Sequence, residues 1–223
     1  MNKTSTTRRT VITAALVTLS LAALGVFVAL EMRDKPPVVE SSGIADPRLF
    51  RADSHVIQDA PEGSPVLVEF LDFECEACGA LYPAIEQLRQ DFDGQIEFVV
   101  RYFPLPGHVN SRNAAHAAEA AARQGAFEPM YRMLFETQTS WGESQDDQSA
   151  VFRGFAEDLG LDLAQYDRDV TSEDVAARVE SDFQDALSLG LTGTPSLFLD
   201  GEILQPRTLD DFTDALESAA ANG

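Results

Sequence analysis

The sequence predicts an α/β domain with a helical insertion, set behind one N-terminal membrane-spanning helix. Three observations carry that expectation. Residues 65–103 run strand, helix, strand; residues 111–190 show one amphipathic helical period after another; residues 11–30 hold no charge. The composition agrees: 223 residues at 44% hydrophobic and 24% charged bury a real core. Two cysteines are too few for a disulfide-dense scaffold or an all-cysteine zinc or iron–sulfur centre. A net charge of -21 excludes the basic footprint that nucleic-acid binding needs.

That charge is unevenly spread. Residues 1–35 carry five basic against two acidic side chains, a net +3, which leaves -24 for the other 188. Val11–Leu30, as a helix, is about 30 Å long, close to the thickness of a bilayer's hydrocarbon core. Lys3, Arg8 and Arg9 precede it, so residues 1–10 are expected in the cytoplasm and everything after Glu31 outside the cell membrane. A cleaved signal peptide is the rival reading. Its apolar region is usually about 7–15 residues long, and no clean A-x-A site precedes the charged segment, although Ser20, Ala22 and Ala23 are small. A buried helix of a soluble protein is the third reading, which an uncharged run disfavours by leaving no solvent face. Residues 31–49, with Pro36, Pro37, Ser41, Ser42, Gly43 and Pro47, read as a linker, and the folded body as residues 50–221.

Within the body, Pro65–Phe73 is a mostly apolar strand run. Leu81, Ile85, Leu88 and Phe92 then fall near helical spacing, and Gln95–Phe103 is a second strand, which makes a parallel βαβ unit. Helices follow: an alanine-rich one over 111–123, then Phe127 to Phe135. Val151, Phe152, Phe155 and Leu159 line the next, ended by Gly160, and a short one covers 162–169. Val175, Val179, Phe183, Ala186 and Leu187 line the last of the insert, ended by Gly190. Pro195–Asp200 and Ile203–Leu204 read as strands around an Asp200–Gly201 turn. A final helix runs from about Leu209 to Ala219, with Leu209, Phe212 and Leu216 inward. The helical insert therefore spans about 111–190.

Cys75 and Cys78 lie at the first strand-to-helix junction. There the free N–H groups and dipole of the helix N-terminus stabilise a thiolate on Cys75. Cys78, one turn on, stands close enough to resolve a mixed disulfide. Two other readings remain open. A structural disulfide across so short a loop stabilises little. A metal site needs more ligands, and His55, His108 and His116 lack ligand spacing to the cysteines. His108 and His116 read as surface or helix-packing residues. No Gly-rich phosphate loop is present, and no cofactor or metal is expected.

Glu69-Phe-Leu-Asp-Phe-Glu-Cys-Glu-Ala-Cys78, with Gly193-Thr-Pro-Ser-Leu-Phe-Leu-Asp-Gly201 downstream, resembles the thioredoxin superfamily. More closely, residues 50–221 resemble membrane-anchored bacterial thiol:disulfide oxidoreductases of the DsbA-like type. The order Phe103-Pro-Leu-Pro-Gly-His108, alanine-rich helix, Gly125-Ala-Phe127 and Thr-Pro strand also matches. The resemblance implies a thioredoxin-like fold with a helical insertion. It casts Cys75 as nucleophile, Cys78 as resolving cysteine, Pro195 as a cis-proline and Thr194 as a redox-tuning residue that contacts substrate. Glu69 matches the buried acid of thioredoxins, a proton acceptor for Cys78; an ordinary strand-edge glutamate is the alternative. Between the cysteines stand Glu76 and Ala77, not Pro-His or Pro-Ser. Glu74 and Glu76 flank Cys75 with negative charge, which opposes a thiolate and predicts a weaker oxidant than the Pro-His type.

The expected function is extracytoplasmic thiol:disulfide exchange with envelope or secreted proteins, as an oxidase. The resemblance implies reoxidation by a quinone-linked membrane partner, DsbB-like or vitamin K epoxide reductase-like. A reductase or isomerase using the same pair is one alternative. A non-enzymatic anchored module that binds envelope proteins or acts as a chaperone is the other.

Overall fold

The computed structural model of the chain describes residues 46–222. The expected cytoplasmic end, membrane span and most of the linker lie outside these residues. Among the described residues, no helix is long and apolar enough to cross a membrane.

The chain runs β1 (His55–Gln58), β2 (Val66–Leu71), α1 (Glu76–Asp91), β3 (Glu97–Tyr102), α2 (Ser111–Ala122), α3 (Phe127–Glu136), α4 (Gln138–Trp141), α5 (Ser149–Asp158), α6 (Leu163–Asp169), α7 (Glu173–Ser188), β4 (Ser196–Leu199), β5 (Glu202–Leu204) and α8 (Leu209–Ala220). The strands form one sheet in the order β1-β3-β2-β4-β5. β2 and β3 pair in parallel, as a βαβ unit requires, and the other pairs are antiparallel. Helices α2 to α7 are the insertion, between β3 and β4.

β2 is central and buried along its whole length, which is why its sequence is a continuous apolar run rather than an alternating one. Its residues still divide by the two-residue period of a strand. Leu67 and Leu71 join Phe98, Val100 and Tyr102 of β3 in the larger core, with α1, α2, α3 and α8. Val66, Val68 and Phe70 join Val99, Phe103, Phe183, Phe198, Leu49 and Phe50 in a second core on the opposite face. Glu69 therefore falls in register with Leu67 and Leu71, and Arg101 with Val99 and Phe103.

Arg101 is fully buried. Its Nε donates to Asp182 Oδ1 at 2.8 Å, Nη1 to the Arg48 carbonyl at 2.9 Å and Nη2 to Asp185 Oδ2 at 2.7 Å. Arg51 grips Asp185 with two donors, and Asp182 Oδ2 accepts the Tyr102 N–H. This network fastens α7 to β3, and it turns the helix. At about 100° per residue, burying Asp182 and Asp185 beside Val175, Val179 and Ala186 rotates Leu187 off the buried face. Leu187, expected inward, is 48% exposed. Val151 and Leu209 are likewise exposed, because each sits in the first turn of its helix, beyond the core. Gly160 and Gly190 end α5 and α7 with positive φ, as expected.

Candidate active site

β2 carries the chain to Leu71, and four residues later Cys75 caps α1 in an extended conformation (φ -68°, ψ 121°). Asp72 builds the intervening turn. Its carbonyl accepts the Cys75 N–H at 3.1 Å, and its buried Oδ1 accepts the Glu74 N–H at 2.9 Å. Cys75 and Cys78 are free thiols and both buried. The Cys75 thiol donates to the Thr194 carbonyl at 3.4 Å, and the Thr194–Pro195 peptide bond is cis. Ala77 of α1 and Pro195 share the wall of a groove of about 440 Å³ with Leu81, Leu197, Ile203 and Pro206.

The two thiols are electrostatically unlike. The Cys75 thiol is pushed down to about 5, first because the Cys78 thiol donates to it. Burial opposes the shift, but Thr194 and the N–H groups of Cys78 and Ala77 overcome it. Burial, first, pushes the Cys78 thiol well up, followed by its bond to Cys75 and the charge of Glu69. Glu69 is buried on the inner strand, which removes the strand-edge alternative; desolvation, then the charges of Cys75 and Glu86, raise its carboxyl to about 8.

The structure thus brings together Cys75, Cys78, Glu69, Ala77, Thr194 and Pro195. The flanking glutamates part company. Glu74 is buried and turns its carboxylate to the Asn110 N–H at 2.6 Å. Glu76 is exposed, with its carboxyl held below the usual range first by a hydrogen bond with Glu143 and next by its own backbone N–H.

Three residues of this region carry no sequence signal strong enough to single them out. Gln138, from α4, donates through Nε2 to the carbonyls of Phe73 and Cys75 at 2.8 and 2.9 Å. Gly79 makes room for it: a Cβ there stands 2.0 Å from Gln138 Oε1. Asp72 and His108 are the others. His108 Nδ1 lies 2.6 Å from Asp72 Oδ2, which also accepts the Leu105 N–H, so His108 is no mere surface residue.

A family model described as thioredoxin matches residues 53–218. The chain belongs to the thioredoxin family. Its described residues have the DsbA-type form of the fold, a thioredoxin-like α/β sheet with an inserted helical subdomain. The thioredoxin-like oxidoreductase from Silicibacter pomeroyi DSS-3 superposes with a TM-score of 0.65 at 28% identity, covering 79% of this chain and 98% of that one. The thiol-disulfide exchange protein alpha-DsbA2 from Wolbachia pipientis shares the fold at a TM-score of 0.64 and 21% identity, over 77% and 90% of the two chains. A stretch of 151 residues is 39% identical to part of the Na(+)/H(+) antiporter NhaA 1 of Mycobacterium sp. (strain KMS), covering 66% of this chain and 23% of the antiporter. The chain spans about a quarter of the length of the curated relatives it matches. On this thioredoxin fold, the closely spaced cysteine pair is equipment for enzymatic thiol–disulfide chemistry.

Proposed function

We propose that the chain is an extracytoplasmic protein thiol:disulfide oxidoreductase that works as an oxidase. The observation that carries this reading is the split between the thiols. Cys75, pushed down to about 5, is a thiolate at neutral pH, while Cys78 stays protonated beside Glu69.

A substrate thiolate attacks Cys75 Sγ of the Cys75–Cys78 disulfide. The S–S bond breaks, a mixed disulfide forms at Cys75, and Cys78 departs with the electron pair. Glu69, protonated at neutral pH, returns a proton to Cys78 as it leaves. The substrate's second thiolate then attacks its own bridged sulfur and expels Cys75. A thiol of low pKa leaves readily, so this second step favours release of the oxidised substrate. Two electrons have passed to the pair. The groove past Ala77 and Pro195 offers an extended peptide an apolar seat, and Thr194, next to Pro195 in the chain, is the residue this reading assigns to substrate contact.

In this reading residues 1–10 are cytoplasmic, 11–30 span the membrane, 31–49 form a linker and 50–221 act outside. A quinone-linked membrane protein, DsbB-like or vitamin K epoxide reductase-like, reoxidises the pair. Substrates are reduced envelope or secreted proteins. The test is oxidation of a reduced, unfolded protein by the full chain in detergent, with its reduction potential measured against glutathione. A potential above about -200 mV supports an oxidase, and one near about -270 mV turns the reading to a reductase. Labelling of Cys75 in intact cells by a membrane-impermeant maleimide tests the topology.

A further inference from the structure

His108 lies in the loop between β3 and α2, yet it is tied to the turn that presents Cys75. Asp72 is the link. One of its carboxylate oxygens accepts the Glu74 N–H and its carbonyl the Cys75 N–H, while the other carboxylate oxygen meets His108 Nδ1 at 2.6 Å. The same Oδ2 accepts the Leu105 N–H at 2.9 Å, which fixes the loop itself. Asp72 is 1% exposed, so this geometry is set inside the protein, while the His108 side chain is 25% exposed and can exchange a proton with solvent.

The groups facing His108 are all acidic. Asp72, Glu74 and Cys75 come from the turn before α1, Glu76 from the first turn of α1, and Glu143 from the loop after α4. An unopposed cluster of that sign disfavours a thiolate in its midst. We propose that His108, held by Asp72, is a positioning residue for disulfide exchange: its imidazolium supplies, from another loop, the positive charge that Glu76 and Ala77 do not supply between the cysteines. The proposal rests on the reading of Cys75 as the exchanging thiol.

Burial by itself lowers the His108 pKa, but the Asp72 hydrogen bond and the charges of Asp72, Cys75 and Glu74 outweigh it, and the net shift is upward from 6.5. Cys75 titrates near 5. Thiolate and imidazolium therefore coexist from about pH 5 to beyond 6.5, and the support for the thiolate fades as pH rises through the His108 pKa.

The test uses the full chain, reduced, in detergent. The Cys75 thiolate is titrated by ultraviolet absorbance and by iodoacetamide alkylation in the wild type, His108→Gln and His108→Lys. His108→Gln is expected to raise the midpoint by about one pH unit, and to move the glutathione equilibrium about fivefold toward the disulfide at pH 6. His108→Lys, which keeps a cation, is expected to restore most of both. Identical midpoints in wild type and His108→Gln, or a His108→Lys variant that matches His108→Gln, overturn the proposal. A second measurement needs no substitution. By nuclear magnetic resonance, the His108 imidazole of the wild type is expected to titrate at lower pH in the oxidised protein, where the thiolate is gone. Equal values in the two redox states overturn it. A pair that alkylates but never exchanges with glutathione sinks the proposed function instead, and leaves the titrations to judge His108.

Discussion

Gly79→Ala separates the packing of this site from the ordinary preferences of a helix. Gly79 sits inside α1, where replacement by alanine stabilises an exposed helix by about 1 kcal/mol. Here the added Cβ stands 2.0 Å from Gln138 Oε1, so the Gln138 amide must swing away. That side chain is flexible, and the steric term is small. The loss lies in its two hydrogen bonds to the Phe73 and Cys75 carbonyls. At about 1 kcal/mol each, with an added cost of up to about 1–3 kcal/mol for a carbonyl left unpaired, the loss exceeds the helical gain. The Cys75 carbonyl keeps the Gly79 N–H at 3.0 Å, so the Phe73 carbonyl bears most of the damage. Gly79→Ala is therefore expected to destabilise the domain by about 1–3 kcal/mol. In a Gln138→Ala background the obstacle is absent, and the same substitution is expected to stabilise by up to about 1 kcal/mol. Urea unfolding followed by Trp141, the single tryptophan and a buried neighbour of Gln138 in α4, reads all four proteins of the cycle. A Gly79→Ala effect of the same sign in both backgrounds refutes the reasoning.

Glu69→Gln is expected to slow proton transfer at Cys78, and with it exchange, by about 10²-fold in stopped-flow assays at pH 7. It is also expected to flatten a stability slope. Folded Glu69 keeps its proton to about 8 while the unfolded side chain loses it near 4.5, so wild-type stability falls as pH rises between those values. The Cys75 thiol gives the opposite slope: depressed to about 5 from 9.0, it adds stability to the reduced protein as pH rises across that window. The stability of the reduced form minus that of the oxidised form is expected to grow from pH 5 to 9. Asp182→Asn leaves Arg101 with less charge to face in full burial and is expected to cost about 3 kcal/mol in urea unfolding.

The main elements were legible because their patterns are long or their punctuation is strong. A six-residue buried strand, helices with apolar stripes and Gly160 or Gly190 at their ends announce themselves. β1 was not found. His55–Gln58 is four residues with one buried side chain, and it becomes a strand only by pairing with β3. The short α4 escaped for the same reason, being too brief to show a period. At the site, Cys75 and Cys78 were legible from their spacing at one strand-to-helix junction. Glu69, Thr194 and Pro195 needed the family resemblance: a lone Glu in an apolar strand names no role, and over a hundred residues separate Thr194 and Pro195 from Cys75. Gln138, Asp72 and His108 meet the site through loops whose paths no local pattern encodes. Charged residues inside a core are equally hidden: Asp182 and Asp185 look like a solvent face until Arg101 is found beneath them.

The central claim is that Cys75 is an activated thiol built for exchange. Titration of the reduced full chain by ultraviolet thiolate absorbance tests it most directly. A midpoint near 5 that disappears in Cys75→Ser is the predicted result. A midpoint near the ordinary thiol value of 9.0 contradicts it.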